Sequence, residues 1–142
     1  MLTALDKQII VRKLDFMRGT LLEMEEILRK GERAYRRNRM DQLATERHIE
    51  RLVEWAVDVA CIILKKNYQL TVPTYPDAFL VLGRRGVLST KLASGLASSA
   101  RIRDAIAHLI DDLTPGKVFT GAKTALRHYP AFMKTVRTLT KR

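Results

Sequence analysis

An all-α fold is the class that the sequence predicts, and three observations point to it. Apolar residues recur at alternating steps of three and four, the period of an amphipathic helix. Aromatic residues are only 6% of the chain, and 7 glycines and 4 prolines are few for 142 residues, so long regular elements are favoured over many short strands. No segment alternates polar and apolar residues as a half-buried strand would. We therefore expect a single domain over residues 1–142, a five-helix bundle with two long antiparallel helices followed by a short helix and two further helices.

The first predicted helix runs from about residue 3 to residue 30. Thr3 and Asp6 have the spacing of a capping box, and Gly31 marks the end of the helix. Its apolar stripe is regular and consists of Ile10, Leu14, Met17, Leu21, Met24 and Leu28.

The second predicted helix spans about residues 41–66, with an apolar stripe from Ile49 to Ile63. Beside the stripe, four acids stand at i,i+4 spacing: Glu46, Glu50, Glu54 and Asp58. Such a row is mildly unfavourable unless cations approach it, and Arg47 and Arg51 stand close in sequence. An exposed acidic face and a partner contact are both consistent with this pattern.

Three shorter predictions complete the bundle. Pro76 suits the first turn of a third helix over about residues 76–83. Ser89 caps a fourth helix over about 89–113, which Pro115 and Gly116 end. A fifth helix follows from about 117 to 140, and Pro130 should kink or break it.

The positive charge of the chain is concentrated in two regions. The net charge of +11 suggests a polyanionic partner such as nucleic acid, although a merely soluble basic surface is an alternative. Residues 29–39 carry six basic side chains and one acid, which favours a loop or helix start that either is solvated or contacts phosphate. Residues 113–142 carry seven basic side chains and no acid.

The single cysteine and the hydropathy pattern limit the compartment and the cofactors. Cys61 alone excludes an intrachain disulfide and a cysteine-based zinc site, and we expect it to be a buried structural thiol. The longest strictly apolar run is six residues, 59–64, against the roughly 20 that a membrane span needs. The charged N-terminal segment does not have the apolar core of a signal peptide. We expect a cytoplasmic protein without a metal ion or cofactor.

The fourth predicted helix contains a cation in its apolar stripe. The stripe consists of Leu92, Leu96, Ser99, Arg103, Ile106, Ile110 and Leu113. A buried arginine is costly unless it is paired or lines a cleft. The small, polar Ser99 one turn earlier leaves room for such a cleft. Pairing of Arg103 with Glu54 or Asp58 would give it a purely structural role.

A histidine follows on the same predicted helix. His108 stands four residues after Asp104, so a continuous helix would place the imidazole above the carboxylate, an arrangement that suits proton transfer. Arg103 and His108 are five residues apart, about 140° around the helix, and they can also meet in a cleft between two subunits. A lone histidine without such a neighbour is more often structural than catalytic. Neither His48 nor His128 has an arrangement comparable to that of His108.

The segment from Arg103 to His108 resembles R-[N/D/H]-x3-H, the hallmark of HEPN-domain ribonucleases. More of the chain is similar to one branch, the HepT-like toxins of HEPN–MNT toxin–antitoxin pairs. The similarity covers about 110 residues in the family's order and includes Glu46-Arg47-x-Ile49 and Asp58-Val59-Ala60, Pro73-Thr74-Tyr75 to Ser89, and Asp112 to Phe119.

This resemblance implies a fold, an activity and partners. The fold is a five-helix HEPN bundle, and two motifs face one cleft in a homodimer that cleaves RNA without a metal ion. His108 is then a general acid or base, Arg103 binds the scissile phosphate, and Asp104 orients them. The regulatory partner is an MNT-type nucleotidyltransferase antitoxin. Five further residues are candidate RNA contacts: Ser99, Arg101, Arg36, Arg37 and Lys117.

Two departures from the HepT-like pattern keep a second function open. Asp104 stands where these toxins usually have asparagine, and Ile110 replaces the tyrosine that the MNT partner adenylylates, so no modification is expected at that position. The alternative is a catalytically inactive HEPN module that binds a nucleotidyltransferase or nucleic acid. A structural bundle with an unrelated ligand is a third class, but the sequence has no Gly-rich phosphate loop, aromatic box or metal-ligand spacing to support a cofactor enzyme.

Overall fold

The computed structural model describes residues 1–109 and 111–142, which form helices and no strands. The six helices are α1 (Ala4–Arg29), α2 (Glu32–Arg36), α3 (Arg39–Tyr68), α4 (Tyr75–Arg84), α5 (Thr90–Ala107) and α6 (Pro115–Thr140). The all-α prediction is therefore confirmed, with one helix more than expected. The additional helix, α2, lies in the basic segment for which the sequence predicts a loop or a helix start.

Short polar side chains fix where the helices begin. Thr3 and Asp6 form the predicted capping box, each side chain accepting a hydrogen bond from the backbone of the other. Four other helices begin after a capping residue whose side chain accepts a hydrogen bond from the backbone N–H three residues later. These residues are Asn38, Thr74, Ser89 and Thr114. Each such cap contributes about 1 kcal/mol.

The two long helices are antiparallel, as predicted. Lys13 of α1 pairs with Asp58 of α3 at 2.9 Å, whereas Lys30 at the other end of α1 pairs with Asp41 at 2.6 Å. Residue numbers therefore rise in one helix as they fall in the other. The predicted stripe of α1 is buried at all six positions, as is the predicted stripe of α3 from Ile49 to Ile63.

Aromatic contacts join three of the remaining helices, since α4 and α2 each pack against α6. Phe79 of α4 packs edge-on against Phe132 of α6, with ring centroids 5.9 Å apart. Tyr35 is the buried residue of α2, and its ring lies 5.3 Å from that of Phe119 in α6. Full burial of a large apolar side chain stabilises the fold by roughly 1.5–3 kcal/mol, so burial of Tyr35 ties the five-residue α2 to the bundle.

The end of the fourth predicted helix is wrong by six residues, because α5 ends at Ala107. His108 is its C-cap, and Leu109 has φ of +53°, a left-handed conformation that terminates a helix. The next helix starts at Pro115, so Pro115 and Gly116 open α6 instead of ending α5.

Pro130 does not break the last helix, contrary to the sequence prediction. Its side chain is exposed, while Tyr129, Phe132 and Met133 beside it are buried. A proline removes only its own hydrogen bond to the carbonyl four residues earlier, that of Leu126. Packing of the buried face on both sides of Pro130 keeps α6 continuous.

The acidic row of α3 is largely neutralised within the chain. Three of its four acids lie within 4.0 Å of a cation: Glu46 near Arg39, Glu54 near Arg51 and Arg103, and Asp58 near Lys13. Cys61, on the same helix, is partly buried instead of fully buried, and burial raises the pKa of its thiol. None of the helices, over the residues described, combines the length and apolar character that a bilayer span requires.

Candidate active site

Arg103 lies where three helices meet, and its side chain is 22% exposed. Its Nη2 is 3.7 Å from Oε1 of Glu54 on α3, and its Nη1 is 3.4 Å from Oδ1 of Asp104, the next residue of α5. The Tyr75 ring, at the start of α4, lies against the guanidinium with its centroid 4.8 Å from Cζ. The structure therefore contains the Glu54 pairing considered from sequence, while Asp58 pairs with Lys13.

These contacts hold the Arg103 guanidinium without saturating it. Both carboxylate distances exceed the 2.7–2.9 Å of a strong charge-assisted hydrogen bond. The Nε–H is buried and has no hydrogen-bond partner in the described part of the chain. An arginine that is partly exposed and incompletely bonded can exchange a loosely held carboxylate for the oxygens of a phosphate.

Tyr75 is a site residue that sequence reasoning did not select. In the sequence it belongs only to the Pro73-Thr74-Tyr75 segment that resembles the family. The one signal that could have found it is its position just after Thr74, which caps α4 and so fixes where the Tyr75 ring leaves the backbone. A cation over an aromatic ring contributes about 0.5–2 kcal/mol.

His108 is exposed at the end of α5, beyond its last turn. Its backbone N–H donates to the carbonyl of Asp104 at 3.0 Å. The Asp104 carboxylate contacts Arg103, and among the described residues no hydrogen bond or ion pair joins the His108 imidazole to either of them. The stacked pair expected of a continuous helix is therefore not formed. The imidazole is left available to a group from outside this chain.

Ser99 is buried, with 7% of its surface exposed, and its hydroxyl lies 3.0 Å from that of Tyr129 on α6. Burial raises the pKa of Tyr129, so both hydroxyls are neutral and share one hydrogen bond. This bond fixes α5 against α6 one turn before Arg103. The geometry gives Ser99 a structural role and argues against the RNA contact suggested from sequence.

Two of the predicted RNA contacts come together beside α5. Arg36 and Lys117 line a shallow groove of about 470 Å³, together with Ile102, the residue before Arg103. The Arg36 guanidinium packs so closely on Gly116 that a Cβ there would overlap it. The basic segment and the start of α6 thus flank the helix that carries the motif.

The other predicted positions contribute less. Arg101 and Arg37 are exposed, and neither lines this groove. Ile110, at the family's tyrosine position, lies outside the described residues. In residues 1–109 and 111–142, no three His, Cys, Asp or Glu side chains cluster in a way that could hold a metal ion.

The two other histidines have structural surroundings. The His128 imidazole packs on Gly95 of α5, and burial, with Arg127 and Lys91 nearby, lowers its pKa. His48 lies 3.6 Å from Glu23, and burial lowers its pKa as well. Both environments join helices and contain none of the motif residues.

The all-α bundle of this chain is similar in fold to chains of solved toxin–antitoxin complexes. A toxin–antitoxin complex with AMP-PNP contains a chain with TM-score 0.83 and 18% identity, covering 92% of this chain and 98% of that one. A tri-AMPylated HEPN toxin of Shewanella oneidensis, in complex with an MNT antitoxin, gives TM-score 0.82 and 18% identity, over 92% and 97%. The cytosolic protein YutE of Bacillus subtilis gives TM-score 0.77 and 17% identity, over 93% and 88%. At these identities the likeness concerns the fold.

The chain belongs to the ribonuclease HepT-like family, whose model matches residues 17–136. Among curated proteins, the tRNA nuclease HepT of Aphanizomenon flos-aquae is 33% identical over 95 residues, which is 67% of this chain. The match spans 65% of that relative's length. The resemblance noted in the sequence is thereby confirmed.

Proposed function

We propose that this protein is an endoribonuclease toxin of a HEPN–MNT pair, acting in the cytoplasm and without a metal ion. One observation carries the proposal: Arg103 is partly exposed and incompletely bonded, five residues before a histidine whose imidazole is unengaged within the described chain. Membership of the HepT-like family supports this choice of chemistry.

The active site that we propose is composite, formed where two copies of the chain face each other. Among the described residues no hydrogen bond joins Arg103 to His108, and α5 ends between them at Ala107. A homodimer cleft would bring the imidazole of one copy to the phosphate held by the arginine of the other. This arrangement also explains why a cation is tolerated in an otherwise apolar stripe.

The reaction that fits these groups is transesterification within RNA. His108 as general base takes the proton of a 2′-hydroxyl, and the 2′-oxygen forms a bond to the adjacent phosphorus. The bond from phosphorus to the 5′-oxygen breaks, and the same His108, now an imidazolium, returns the proton to that oxygen. Arg103 stabilises the charge that develops on the phosphoryl oxygens, and Asp104 positions Arg103.

Further cations would hold the RNA chain beside the cleft. Arg36 and Lys117 lie in one groove next to Ile102, and exposed Arg37 and Arg101 add charge near α2 and α5. Contacts of this kind are made with phosphates and carry little sequence information. RNA affinity should therefore fall steeply with salt concentration.

The regulatory partner in this proposal is an MNT-type nucleotidyltransferase. Ile110 has no hydroxyl and cannot accept a nucleotidyl group. Control would therefore act through binding, or through modification of a residue elsewhere in the chain.

A second candidate function is a non-catalytic HEPN module that binds such a partner or nucleic acid. The observation that favours it is the pair of carboxylates, Glu54 and Asp104, on either side of Arg103. If the arginine stays bound to them, it is not free to bind phosphate. Complex formation with the partner would then be unaffected by His108→Ala.

The deciding experiment compares RNA cleavage by wild type and His108→Ala in the presence of EDTA. We expect tRNA cleavage and growth arrest from wild type alone. Equal cleavage by both proteins would indicate contamination and overturn the nuclease proposal, and activity that EDTA abolishes would overturn metal independence.

The composite site has its own test. Arg103→Ala and His108→Ala are mixed after each has been shown to be inactive. Recovery of activity to roughly a quarter of the wild-type level is expected if one site takes Arg103 and His108 from different copies. No recovery from a verified mixed dimer would contradict the composite site.

A further inference from the structure

Another groove lies between α1 and α6 and contains none of the motif residues. Its volume is about 510 Å³. The two helices are antiparallel there, since Lys7 near the start of α1 reaches the terminal Arg142 while Arg18 to Glu25 face the middle of α6. The groove follows α6 from Leu126 to Lys141, a rise of about 22 Å.

The floor of the groove is apolar, and its exposed part comes from Leu22 and Pro130. It is formed by Leu21, Leu22, Leu126, Pro130 and Met133. Leu22 is 58% exposed, so an apolar side chain of the floor faces solvent. No aromatic residue lines the groove, so it has no surface on which nucleic acid bases would stack.

The rim of the groove is cationic. Arg18, Lys134, Arg137 and Lys141 line it, and among the described residues none of the four forms an ion pair. The single acid on the rim, Glu25, is already paired with Arg29 at 3.1 Å. The rim therefore presents four uncompensated positive charges around an apolar floor.

We propose that this groove binds an acidic amphipathic helix of a partner protein. Such a helix buries apolar residues spaced i, i+3/i+4 and i+7 on the floor, while carboxylates beside that stripe meet the four cations. The length along α6 suits about four turns of helix. The proposal does not rest on the proposed nuclease function.

Charge separates this occupant from the alternatives. A second copy of the chain would bring its own net charge of +11, and three of the four acids in its α3 row already lie near cations of the same chain. RNA would meet the cations but leave the apolar floor unfilled. An acidic amphipathic helix satisfies both features at once.

The test is an NMR titration of the full-length, isotope-labelled chain with a synthetic 15-residue helical peptide. The peptide carries leucine at i, i+3, i+4 and i+7 and glutamate at the flanking positions, and a second peptide has lysine in place of each glutamate. We expect shift changes confined to residues 18–25 and 126–141 with the acidic peptide and none with the basic peptide.

Matched variants define the site. Leu22→Glu should weaken binding of the acidic peptide at least tenfold. Leu5→Glu alters a leucine that is 65% exposed on the same helix but outside the groove, and it should leave the affinity for the peptide unchanged. Arg137→Glu should weaken binding of the acidic peptide at least threefold, whereas Arg127→Glu, on α6 but outside the groove, should not change it. Thermal melts verify that all four variants fold, and unchanged RNA cleavage by Leu22→Glu separates this site from the proposed active site.

Three results would overturn the proposal. The first is the absence of shift changes at 1 mM acidic peptide, and the second is equal affinity of Leu22→Glu and Leu5→Glu for that peptide. The third is that an RNA oligonucleotide or anionic phosphatidylserine vesicles bind residues 18–25 and 126–141 more tightly than the acidic peptide does.

Discussion

Tyr75 and Arg103, which are 28 residues apart in sequence, are in face-to-cation contact, with Cζ 4.8 Å from the ring centroid. The contact joins the first turn of α4 to the motif of α5. The Tyr75 ring covers one face of the Arg103 guanidinium, while the carboxylates of Glu54 and Asp104 approach its Nη atoms. Tyr75 therefore acts as a positioning residue for the arginine that we propose to bind the scissile phosphate.

Replacement of Tyr75 tests this role. Tyr75→Leu should lower kcat/KM for RNA cleavage about tenfold, because a cation–π contact of roughly 1–2 kcal/mol is lost. Tyr75→Phe keeps the ring face and should stay within about twofold of wild type. Steady-state kinetics on a fluorogenic RNA measures both. An equal loss in the two variants would contradict a role for the ring.

Glu54 competes with phosphate for Arg103, since the two groups carry like charge and approach the same guanidinium. Glu54→Gln should therefore lower KM about two- to fivefold at low salt with little change in kcat, and the advantage should shrink at high salt. Glu50→Gln is the control, because Glu50 lies one turn away on α3 and forms no ion pair among the described residues. A fall in kcat with Glu54→Gln would show instead that Glu54 orients the arginine.

Periodicity predicted α1 and α3 well because both bury one continuous stripe against many neighbours. It failed at the end of α5, where Leu109 adopts a left-handed φ that glycine or asparagine usually signals. The expectation that Pro130 would kink or break the last helix was also wrong. That expectation considers only the proline itself and not the burial of Tyr129 and Phe132 on the other face of α6.

The candidate site was predictable only in part for a related reason. The motif residues adjoin in sequence, so their pattern identifies them. The sequence offered Glu54 and Asp58 as alternative partners of Arg103 but did not select Tyr75, because the approach of these side chains depends on how α3, α4 and α5 pack. Likewise, the sequence shows Ser99 only as a small polar residue one turn before Arg103, whereas its partner Tyr129 is 30 residues away on α6.

The pKa of His128 makes stability depend on pH. Burial, Arg127 and Lys91 lower this pKa below its ordinary value of 6.5, so the folded chain favours the neutral imidazole. As pH falls through 6.5 the unfolded chain takes up a proton that the folded chain still excludes, and the free energy of unfolding decreases. This contribution is complete above pH 6.5 and is lost as the pH falls to the folded value.

Urea denaturation between pH 7.5 and 5 measures this effect. The decline in unfolding free energy should be smaller in His128→Gln than in wild type, and the remainder includes His48, whose pKa is also lowered by burial. An NMR titration of the His128 ring gives the folded pKa directly. A midpoint at or above 6.5 would contradict the expected direction.

Two glycines in helices should respond oppositely to alanine. At Gly19 of α1, a Cβ would enter open space, with no neighbouring atom within 4 Å apart from the backbone of its own helix. Gly19→Ala should therefore stabilise the protein by about 0.5–1 kcal/mol through helix propensity. At Gly95 of α5, a Cβ would overlap the imidazole of His128. Gly95→Ala should destabilise by about 1–3 kcal/mol, because the ring must leave its site between α5 and α6.

The Gly95 effect has a specific rescue. In a His128→Ala background the overlapping ring is absent, so Gly95→Ala should cost less than it does in wild type, or become stabilising. Thermal and urea denaturation of the two single variants and the double variant give this coupling energy. If Gly95→Ala were equally destabilising in both backgrounds, the close approach of α5 to the His128 ring would not be its cause, and backbone packing between α5 and α6 would have to account for the loss.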